Sequence, residues 1–338
     1  MATDKTYTAE DFGNGSKGRW CAGCGDFGLM AALKKALAQI GTPPERTEII
    51  SGIGCSSRIV YYMNGYCFHT IHGRALAVAS GAKIAKPEFD VWVATGDGDC
   101  LAIGGNHFIH ALRRNVDLNI ILLNNRIYGL TKGQYSPTSA RGFVSKSSPY
   151  GTVEDPFRPG SLTLGASGTF FARTIGSNMA MTTDVLLRAH AHKGASVVET
   201  LTNCVTFNDG IFSDVYSRDA QAENTILLRH GEKMTFGRQG ERGLVLDGFN
   251  LKAVTIGEDG YTIDDVLTHD AHCPDFDLHR KLAEMALPAL PIALGVIRDV
   301  AAPTYDQAVQ AQIAEVSAAK PYHTFAELLA TGNTWTIQ

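Results

Sequence analysis

Two short, continuously apolar segments constrain the fold of this 338-residue chain more than any other feature of its sequence. VWVAT (residues 91–95) and LNIILL (residues 118–123) have the composition of parallel strands that are covered on both faces of a sheet. Between them, IGGNHFIHALRRN (residues 103–115) has helical character. A strand, a helix and a second strand in this order predict an α/β fold with a doubly wound, mostly parallel sheet.

The same alternation continues on either side of this unit. FGLMAALKKALAQI (residues 27–40) places its large apolar residues on one helical face, and TEIIS (residues 47–51) indicates a short buried strand. A helix near residues 178–192 leads into a further strand, SVVET (residues 196–200). Residues 137–177 are rich in Ser, Gly and Pro, and we expect them to form a long active-site or interface loop.

Residues with reactive or metal-binding side chains follow four of the predicted strands. Cys55, Asp97, Asn125 and Cys204 each lie at or just beyond the end of an apolar segment. Ligands of doubly wound sheets bind in the crevice outside the carboxyl ends of the strands. The sequence therefore predicts a functional site at that edge of the sheet.

The chemistry of two of these strand ends fits a magnesium-bound diphosphate. In GDG (residues 96–98), glycines allow backbone N–H groups to approach phosphate oxygens closely. Asp97 and the side-chain carbonyl of Asn125 offer the hard oxygen ligands that Mg²⁺ prefers, and the backbone carbonyl of Ile127 offers a third. GDG alone is also an ordinary turn, but its combination with Asn124-Asn125 after the next strand favours the diphosphate site.

The spacing of GDG and the Asn pair resembles the thiamine diphosphate-binding motif. The wider stretch from GDGD to NNRIYGLTKGQYSPTS resembles the β subunits of 2-oxoacid:ferredoxin oxidoreductases, and so do WCAGCGDFG, SGIGCSSR and FHTIHGRALAVASGAKIA. The resemblance covers roughly residues 15–225. It implies a thiamine diphosphate-binding fold, with thiamine diphosphate, Mg²⁺ and a [4Fe–4S] cluster as cofactors and coenzyme A as cosubstrate.

Carried over residue by residue, the resemblance also implies the cofactor contacts. His72 is a catalytic candidate that contacts thiamine diphosphate, whereas Arg74 either meets the diphosphate or stays in a structural ion pair. The magnesium ligands are Asp97, Asn125 and Ile127. The cofactor-binding residues implied are Gly54, Cys55, Ser56, His72, Gly73, Arg74, Gly96, Asp97, Gly98, Asp99, Asn125, Ile127, Tyr128, Gly129, Leu130 and Thr131.

The family's cluster-ligand pattern falls on Cys21, Cys24, Cys55 and Cys204. Four thiolates suit a [4Fe–4S] cluster, but they suit zinc as well. Thiamine diphosphate chemistry on a 2-oxoacid releases electrons that a cluster can accept and zinc cannot, so the adjoining motif favours the cluster. We interpret the other cysteines, Cys67, Cys100 and Cys273, as structural.

Two positions bear on the substrate. The Arg58 guanidinium is a candidate to bind a carboxylate with two parallel hydrogen bonds. Leu130 stands where pyruvate-type relatives tend to carry a polar residue, and it leaves room for a longer substrate. Together they favour 2-oxoglutarate over pyruvate, with pyruvate or a broad range of 2-oxoacids as the alternative.

The family's reaction decarboxylates the 2-oxoacid oxidatively with coenzyme A and reduces ferredoxin, so that 2-oxoglutarate would give succinyl-CoA and CO₂. The reaction is reversible in principle. We find only the diphosphate half of a thiamine diphosphate site. The family supplies the activating Glu from an α subunit, so we expect an obligate αβ unit that is doubled in the complete enzyme. An external ferredoxin is expected to dock near Cys21 and Cys24.

Three other interpretations of the chain stay open at this point, and one of them is a regulatory zinc protein, which metal analysis would identify. A non-redox thiamine diphosphate decarboxylase would keep the diphosphate motif but leave the four cysteines without a task. A non-catalytic electron-transfer subunit would explain the cysteines but not the diphosphate motif. Iron and sulfide analysis separates the decarboxylase from the oxidoreductase, and cofactor binding separates the electron-transfer subunit from it.

Composition excludes several other classes of protein. The formal net charge is −4, so the chain has no broad basic field for nucleic acid. We find no apolar run of about 18 residues and no signal-peptide pattern, and we expect a cytoplasmic protein that does not bind membranes. Residues 1–230 are predicted to form the thiamine diphosphate-binding domain with the cluster site. Residues 231–338 are predicted to form a C-terminal extension that contacts another subunit, with a helix over 305–319.

Overall fold

The computed structural model describes residues 6–335 and residue 337. The strands are β1 (Thr47–Ser51), β2 (Tyr66–His69), β3 (Asp90–Gly96), β4 (Leu118–Asn124), β5 (Phe170–Ile175), β6 (Ala195–Leu201), β7 (Thr225–Leu228), β8 (Thr235–Phe236), β9 (Arg242–Asp247), β10 (Asn250–Thr255) and β11 (Ile292–Asp299). Over the described residues they form an eight-stranded sheet in the order β2-β1-β3-β4-β6-β5-β11-β7 and a three-stranded sheet in the order β10-β9-β8.

Helices cover both faces of the larger sheet. They are α1 (Asp26–Ile40), α2 (Ala75–Ala85), α3 (Asp97–Leu101), α4 (Gly105–Arg114), α5 (Pro159–Gly165), α6 (Met179–Ala191), α7 (Ser213–Tyr216), α8 (Arg218–Asn224), α9 (Asp277–Glu284), α10 (Tyr305–Ala319) and α11 (Phe325–Leu329). Short 3₁₀ turns lie at Pro44–Arg46 and Ser56–Tyr61. No helix in the described part of the chain is long and apolar enough to cross a membrane.

The larger sheet confirms the doubly wound prediction. β1 to β6 run parallel to one another, and every residue of β4 and β6 is buried. Ile120 of β4 belongs to a hydrophobic cluster that includes Phe108 of α4. Its neighbour Ile121 belongs to a second cluster, with Leu33 of α1 and Leu186 of α6. Successive strand residues therefore pack on opposite faces, which is why these strands are mostly apolar.

The interpretation of residues 137–177 as one long loop was wrong for its second half. This stretch contains α5 and the buried strand β5, which lies between β6 and β11. β5 carries Arg173, whose charge interrupts the apolar pattern in FFARTI. Arg173 lies opposite Glu199 of β6, and their side chains form a buried ion pair at 2.7 Å. A charged residue whose partner lies on another strand has no signature in the local sequence.

The region after residue 230 contributes one strand to the eight-stranded sheet and forms the three-stranded sheet. β11 pairs antiparallel with β5 and parallel with β7, and β8 to β10 form the small sheet. The helix predicted over 305–319 is confirmed as α10, and residues 258–276 are mostly irregular. Contact of residues 231–338 with another subunit stays a prediction.

The topology brings the functional residues together. β1, β3, β4 and β6 are adjacent and parallel, so their carboxyl ends meet at one edge of the sheet. Cys55 lies just beyond β1, Asp97 follows β3, Asn125 follows β4, and Cys204 lies just beyond β6.

Candidate functional site

A small cavity of about 60 Å³ lies at this edge, at the carboxyl ends of β1, β3 and β4. All the predicted cofactor residues except Gly73 and Arg74 line it, and Ile53 joins them. The lining residues are Ile53, Gly54, Cys55, Ser56, His72, Gly96, Asp97, Gly98, Asp99, Asn125, Ile127, Tyr128, Gly129, Leu130 and Thr131. The structure therefore brings together residues that are more than seventy positions apart in the chain.

Asp99 joins three segments of the cavity wall. Its Oδ1 accepts a hydrogen bond from the Gly73 backbone N–H at 2.8 Å and lies 2.8 Å from His72 Nδ1. Its Oδ2 accepts from the Thr95 hydroxyl at 2.8 Å. A Cβ atom at Gly52 would lie 1.6 Å from this oxygen, so only glycine permits the approach. Asp99 thus orients His72, and its own oxygens are already occupied.

Asp97 is buried and differs from Asp99 in having one oxygen without a side-chain donor. Its Oδ2 lies 2.5 Å from the Ser136 hydroxyl and 2.6 Å from the Thr138 hydroxyl, both of which donate to it. In the described residues no side chain donates to Oδ1. Burial raises the pKa of Asp97, and the two hydroxyls oppose that rise. A buried carboxylate that has no ion-pair partner in the described chain fits a site for a cation.

A hydrogen-bond network supports Asp97 from behind. Thr138 Oγ1 lies 2.9 Å from the Asn124 side-chain oxygen, and the Asn124 amide donates to Glu199 at 2.7 Å. Glu199 in turn pairs with Arg173. The network spans β4, β5 and β6 and fixes the Thr138 hydroxyl beside Asp97.

Asn125 and Tyr128 complete the oxygen-rich wall. The Asn125 side-chain oxygen accepts from the Ile127 backbone N–H at 3.1 Å. The Tyr128 hydroxyl donates to the Gly98 carbonyl at 2.8 Å, and a Cβ atom at Gly98 would lie 2.3 Å from the Tyr128 ring. Burial, with Asp97 and Asp99 nearby, raises the pKa of Tyr128 to about 12, which keeps its hydroxyl a neutral donor.

This donor set fits Mg²⁺ with a diphosphate. One carboxylate, one amide oxygen and a nearby backbone carbonyl match the preference of Mg²⁺ for a few protein oxygens supplemented by phosphate and water. No three His, Cys, Asp or Glu side chains in the described residues are gathered closely enough to hold one metal ion. A site for Mg²⁺ and a diphosphate needs only one residue of these four types, Asp97, because its other protein ligands are an amide oxygen and a backbone carbonyl.

A second cavity, of about 150 Å³, adjoins the first. The four predicted cluster ligands all line it, together with apolar, polar and charged residues. Its lining residues are Arg19, Trp20, Cys21, Cys24, Cys55, Arg58, Asn125, Gly129, Leu130, Lys132, Cys204, Val205, Thr206 and Phe207. Four cysteines from three distant parts of the chain therefore line one space. In the described residues no three of them lie close enough together to hold a single metal ion, so a group held by all four thiolates would be larger than one ion, as a [4Fe–4S] cluster is.

Several contacts hold the cysteine loops in place. The Trp20 indole donates to the Cys55 backbone carbonyl at 2.7 Å, and the Thr206 hydroxyl lies 3.3 Å from Cys21 Sγ. A Cβ atom at Gly129 would lie 3.4 Å from Cys204 Sγ and 3.7 Å from Cys55 Sγ. Gly129 thus brings bare backbone against two of the thiols, between the two cavities.

Burial makes free thiolates unfavourable in this cavity. It raises the pKa of Cys24 well above the usual range, and it raises the pKa of Cys55 to about 11. Asp26, whose own pKa burial raises to about 7, adds to both effects. The thiols of Cys24 and Cys55 are therefore protonated at neutral pH when no metal is bound, and binding of iron or zinc would release their protons.

The two cavities share part of their walls. Cys55, Asn125, Gly129 and Leu130 line both. The segment from Asn125 to Leu130 therefore separates a site suited to a diphosphate from a site suited to a thiolate-bound metal group. Groups bound in the two cavities would be close neighbours.

Three residues predicted for the cofactor or substrate site, Arg58, Gly73 and Arg74, do not line the diphosphate cavity. Arg58 lines the cysteine cavity instead, and its Nε atom is buried without a hydrogen-bond partner in the described chain. Arg74 is exposed and contacts His107. Leu130, 51 % exposed, lies at the rim of both cavities.

Sequence reasoning missed the residues that support the ligands. Ser136 and Thr138 lie in the polar run SPTS, where nothing local connects them with Asp97. Trp20 stands next to Cys21, and the sequence does not show that its side chain contacts Cys55. Their roles depend on loop paths that bring distant segments together.

Comparisons with known proteins agree with this geometry. The model of the thiamine pyrophosphate enzyme, C-terminal TPP binding domain, matches residues 52–200. The chain is 45 % identical over 338 residues to the 2-oxoglutarate oxidoreductase subunit KorB of Mycobacterium tuberculosis, covering 99 % of this chain and 90 % of that protein. It is 46 % identical over 187 residues to the 2-oxoglutarate synthase subunit KorB of Archaeoglobus fulgidus, covering 55 % and 70 %.

A solved structure is similar along almost the whole chain. It is the 2-oxoglutarate:ferredoxin oxidoreductase from Magnetococcus marinus with 2-oxoglutarate, coenzyme A and succinyl-CoA bound. The TM-score is 0.78 at 30 % sequence identity, and the match covers 98 % of this chain and 97 % of that one.

Proposed function

Because the chain belongs to the KorB family of 2-oxoglutarate oxidoreductase subunits, we propose that it is the β subunit of an enzyme that oxidises 2-oxoglutarate with coenzyme A. The products are succinyl-CoA, CO₂ and reduced ferredoxin. Two electrons leave each substrate molecule, and they pass singly through a [4Fe–4S] cluster to ferredoxin. The same steps can run in reverse when the donor potential is low enough.

The contact between the two cavities carries this proposal. A cofactor cavity alone would suit a non-redox decarboxylase, and a four-cysteine cavity alone would suit zinc. Here Gly129 and Leu130 lie between the two cavities, and Cys55 lines both. Electrons released in the first cavity would have a short path to an acceptor in the second.

The residues of the first cavity have distinct roles in the proposed enzyme. Thiamine diphosphate, when bound, supplies the electron sink for decarboxylation. Asp97 and Asn125, with the Ile127 carbonyl, hold Mg²⁺ against the diphosphate. His72 is held by Asp99 and contacts the cofactor.

In the second cavity, Cys21, Cys24, Cys55 and Cys204 hold the cluster. Their thiols lie in a space that Trp20 and Gly129 help to shape. All seven cysteines of the chain are free thiols. Such a site is stable in a reducing compartment, and we assign the enzyme to the cytoplasm.

Arg58 is proposed to bind the distal carboxylate of 2-oxoglutarate. Its buried, unpartnered Nε supports this role, because a buried guanidinium N–H without an acceptor is costly. Leu130 at the rim of both cavities leaves space for the longer chain of this substrate.

Arg58→Ala is expected to raise the KM for 2-oxoglutarate by about 10- to 100-fold, since a charge-assisted hydrogen bond is lost. The KM for 2-oxobutyrate, which has no distal carboxylate, is expected to change little. Steady-state kinetics of the αβ complex with both substrates measures the difference. Arg58→Lys is the matched control, because it keeps the charge but not the planar fork. Equal increases for both substrates would remove Arg58 from this role.

A separate α subunit completes the proposed enzyme, in a complex that is a dimer of αβ units. The C-terminal residues 231–338 are proposed to contact that subunit. Large apolar side chains that are exposed in this chain support the contact: Phe325 is 74 % exposed, Leu329 62 % and Trp335 83 %. Burial of these side chains in the complex would remove apolar surface from water.

The proposed function is tested by electron paramagnetic resonance of the αβ complex, purified without oxygen and loaded with thiamine diphosphate. Addition of 2-oxoglutarate is expected to produce a new radical or reduced-cluster signal that pyruvate does not produce. The isolated β chain serves as the control and is expected to show no turnover. A signal with pyruvate alone would overturn 2-oxoglutarate as the substrate. The absence of a signal with both 2-oxoacids would favour the non-redox decarboxylase.

Metal analysis of the same preparation separates the cluster from zinc. Iron and acid-labile sulfide are expected in equal amounts. Zinc in their place would show that the four cysteines do not hold an iron–sulfur cluster.

A further inference from the structure

An uncompensated group of cations surrounds the cysteine cavity. The residues that line this cavity include Arg19, Arg58 and Lys132 but no carboxylate. An open depression of about 530 Å³ adjoins it and shares Arg19 and Arg58. The depression is lined by Ser16, Lys17, Arg19, Arg58, Tyr61 and Tyr62, again without a carboxylate. The four cations Lys17, Arg19, Arg58 and Lys132 are called the basic rim below.

The basic rim has no internal counter-charge. None of its side chains forms an ion pair within the described chain, whereas Lys83 pairs with Asp117 and Arg141 with Asp155. Asp26 lies close to Cys24 but is buried, at 3 % exposure. The whole chain carries a formal net charge of −4, so this local positive excess opposes the overall balance.

The surface beside the basic rim is partly apolar. Phe207 is 37 % exposed and Leu130 is 51 % exposed, and both line the cysteine cavity. Cys21 is exposed, so a group held by the four cysteines would lie close to the protein surface here. Apolar contacts surrounded by charges are typical of interfaces between proteins.

We propose that the basic rim is the docking surface for an acidic electron-carrier protein; this inference rests on the proposed function. Carboxylates on the carrier would face Lys17, Arg19 and Lys132, which steers the carrier toward the cavity and speeds association. The carrier takes one electron from the reduced cluster, which returns to its oxidised state, and no bond forms or breaks.

The exposure of the cations favours a protein carrier over a small anion. Lys17, Arg19 and Lys132 are exposed, and salt in the solvent screens each of them. Such charges attract a multiply charged partner over several ångströms but bind a single phosphate or carboxylate weakly. They suit the small, transient interfaces of electron transfer.

The test uses the αβ complex with Lys17→Glu, since Lys17 lines neither the diphosphate cavity nor the cysteine cavity. At low ionic strength the KM for a purified acidic ferredoxin is expected to rise by about 3- to 10-fold. Lys17→Glu/Arg19→Glu is expected to raise it further. The difference from wild type should shrink as salt increases. Turnover of Lys17→Glu with methyl viologen, a small cationic dye, should stay unchanged.

Lys193→Glu is the matched control. It makes the same change in net charge at an exposed residue next to the amino end of β6, at the opposite edge of the sheet from the cysteines. Its KM for ferredoxin is expected to equal that of wild type.

If the wild-type enzyme reduces methyl viologen, three results would overturn the basic rim as a docking surface. They are a wild-type ferredoxin KM in both rim variants, an equal rise in Lys193→Glu, or loss of α-subunit binding by the rim variants in gel filtration. The last result would make the rim an α-subunit contact. A wild-type enzyme that reduces neither acceptor would overturn the proposed function itself.

Discussion

Replacement of Cys55 by Ser is expected to remove the cluster and to reduce ferredoxin-dependent turnover of the αβ complex to background. Cys55 lines both cavities, and its thiol lies with that of Cys204 against the bare backbone of Gly129. Serine fits the space, but its hydroxyl is a poor ligand for iron compared with a thiolate. Iron and acid-labile sulfide per αβ unit and ferredoxin reduction measure the loss.

Cys67→Ser is the matched control for this variant. Cys67 is also partly buried, and burial raises the pKa of its thiol to about 11, as it does for Cys55. It lies on β2 and lines neither cavity. The control is expected to keep full iron and activity. A Cys55→Ser enzyme that retains iron, sulfide and ferredoxin reduction would contradict the four-cysteine site.

The parts of the fold that were predictable are those whose pattern is local. β1, β3, β4 and β6 each contain a short apolar run, because both faces of a central parallel strand are covered. β5 has the same environment, but it follows a stretch rich in Ser, Gly and Pro, and Arg173 interrupts its apolar run. The compensating charge, Glu199, lies on the neighbouring strand, and only the folded sheet shows that pairing.

The candidate site divides in the same way. The ligand types could be read from the sequence, because strand ends in a doubly wound sheet converge and because GDG and the cysteine motifs are distinctive. The residues that support these ligands could not be predicted from the sequence. Ser136 and Thr138 bond to Asp97 from a loop about forty residues further along the chain. Such contacts depend on the path of the loop, and the sequence of a loop has no periodic pattern from which that path could be predicted.

Arg58 shows how structure changes the meaning of a predicted residue. The sequence placed it beside Cys55 and predicted a substrate contact. In the fold it lies in the cysteine cavity and in the adjoining depression, with no ion-pair partner in the described chain. It can therefore serve the substrate carboxylate and also offset the negative charge of a nearby thiolate group, since it lowers the pKa of Cys55 against the larger effect of burial. The comparison of Arg58→Ala with Arg58→Lys separates these effects.

Replacement of Asp97 by Asn is expected to weaken magnesium-dependent binding of thiamine diphosphate by at least about 100-fold, since even loss of a residue that only supports a metal ligand costs about 10- to 100-fold. Asn keeps the shape of the side chain and can still accept hydrogen bonds from Ser136 and Thr138. The variant therefore removes chiefly the charge that faces the cation. Titration calorimetry of the αβ complex with thiamine diphosphate and Mg²⁺ measures the affinity.

The stability of Asp97→Asn provides the second readout for this prediction. Burial raises the pKa of Asp97 in the folded chain, so its ionised form destabilises the cofactor-free fold as the pH rises above the ordinary range for Asp. Without cofactor at neutral pH, the variant is expected to be at least as stable as wild type. With Mg²⁺ and thiamine diphosphate the order should reverse, because only the wild type gains from cation binding. If Mg²⁺ and thiamine diphosphate raise the Tm of Asp97→Asn as much as that of wild type, the cation is held by other residues.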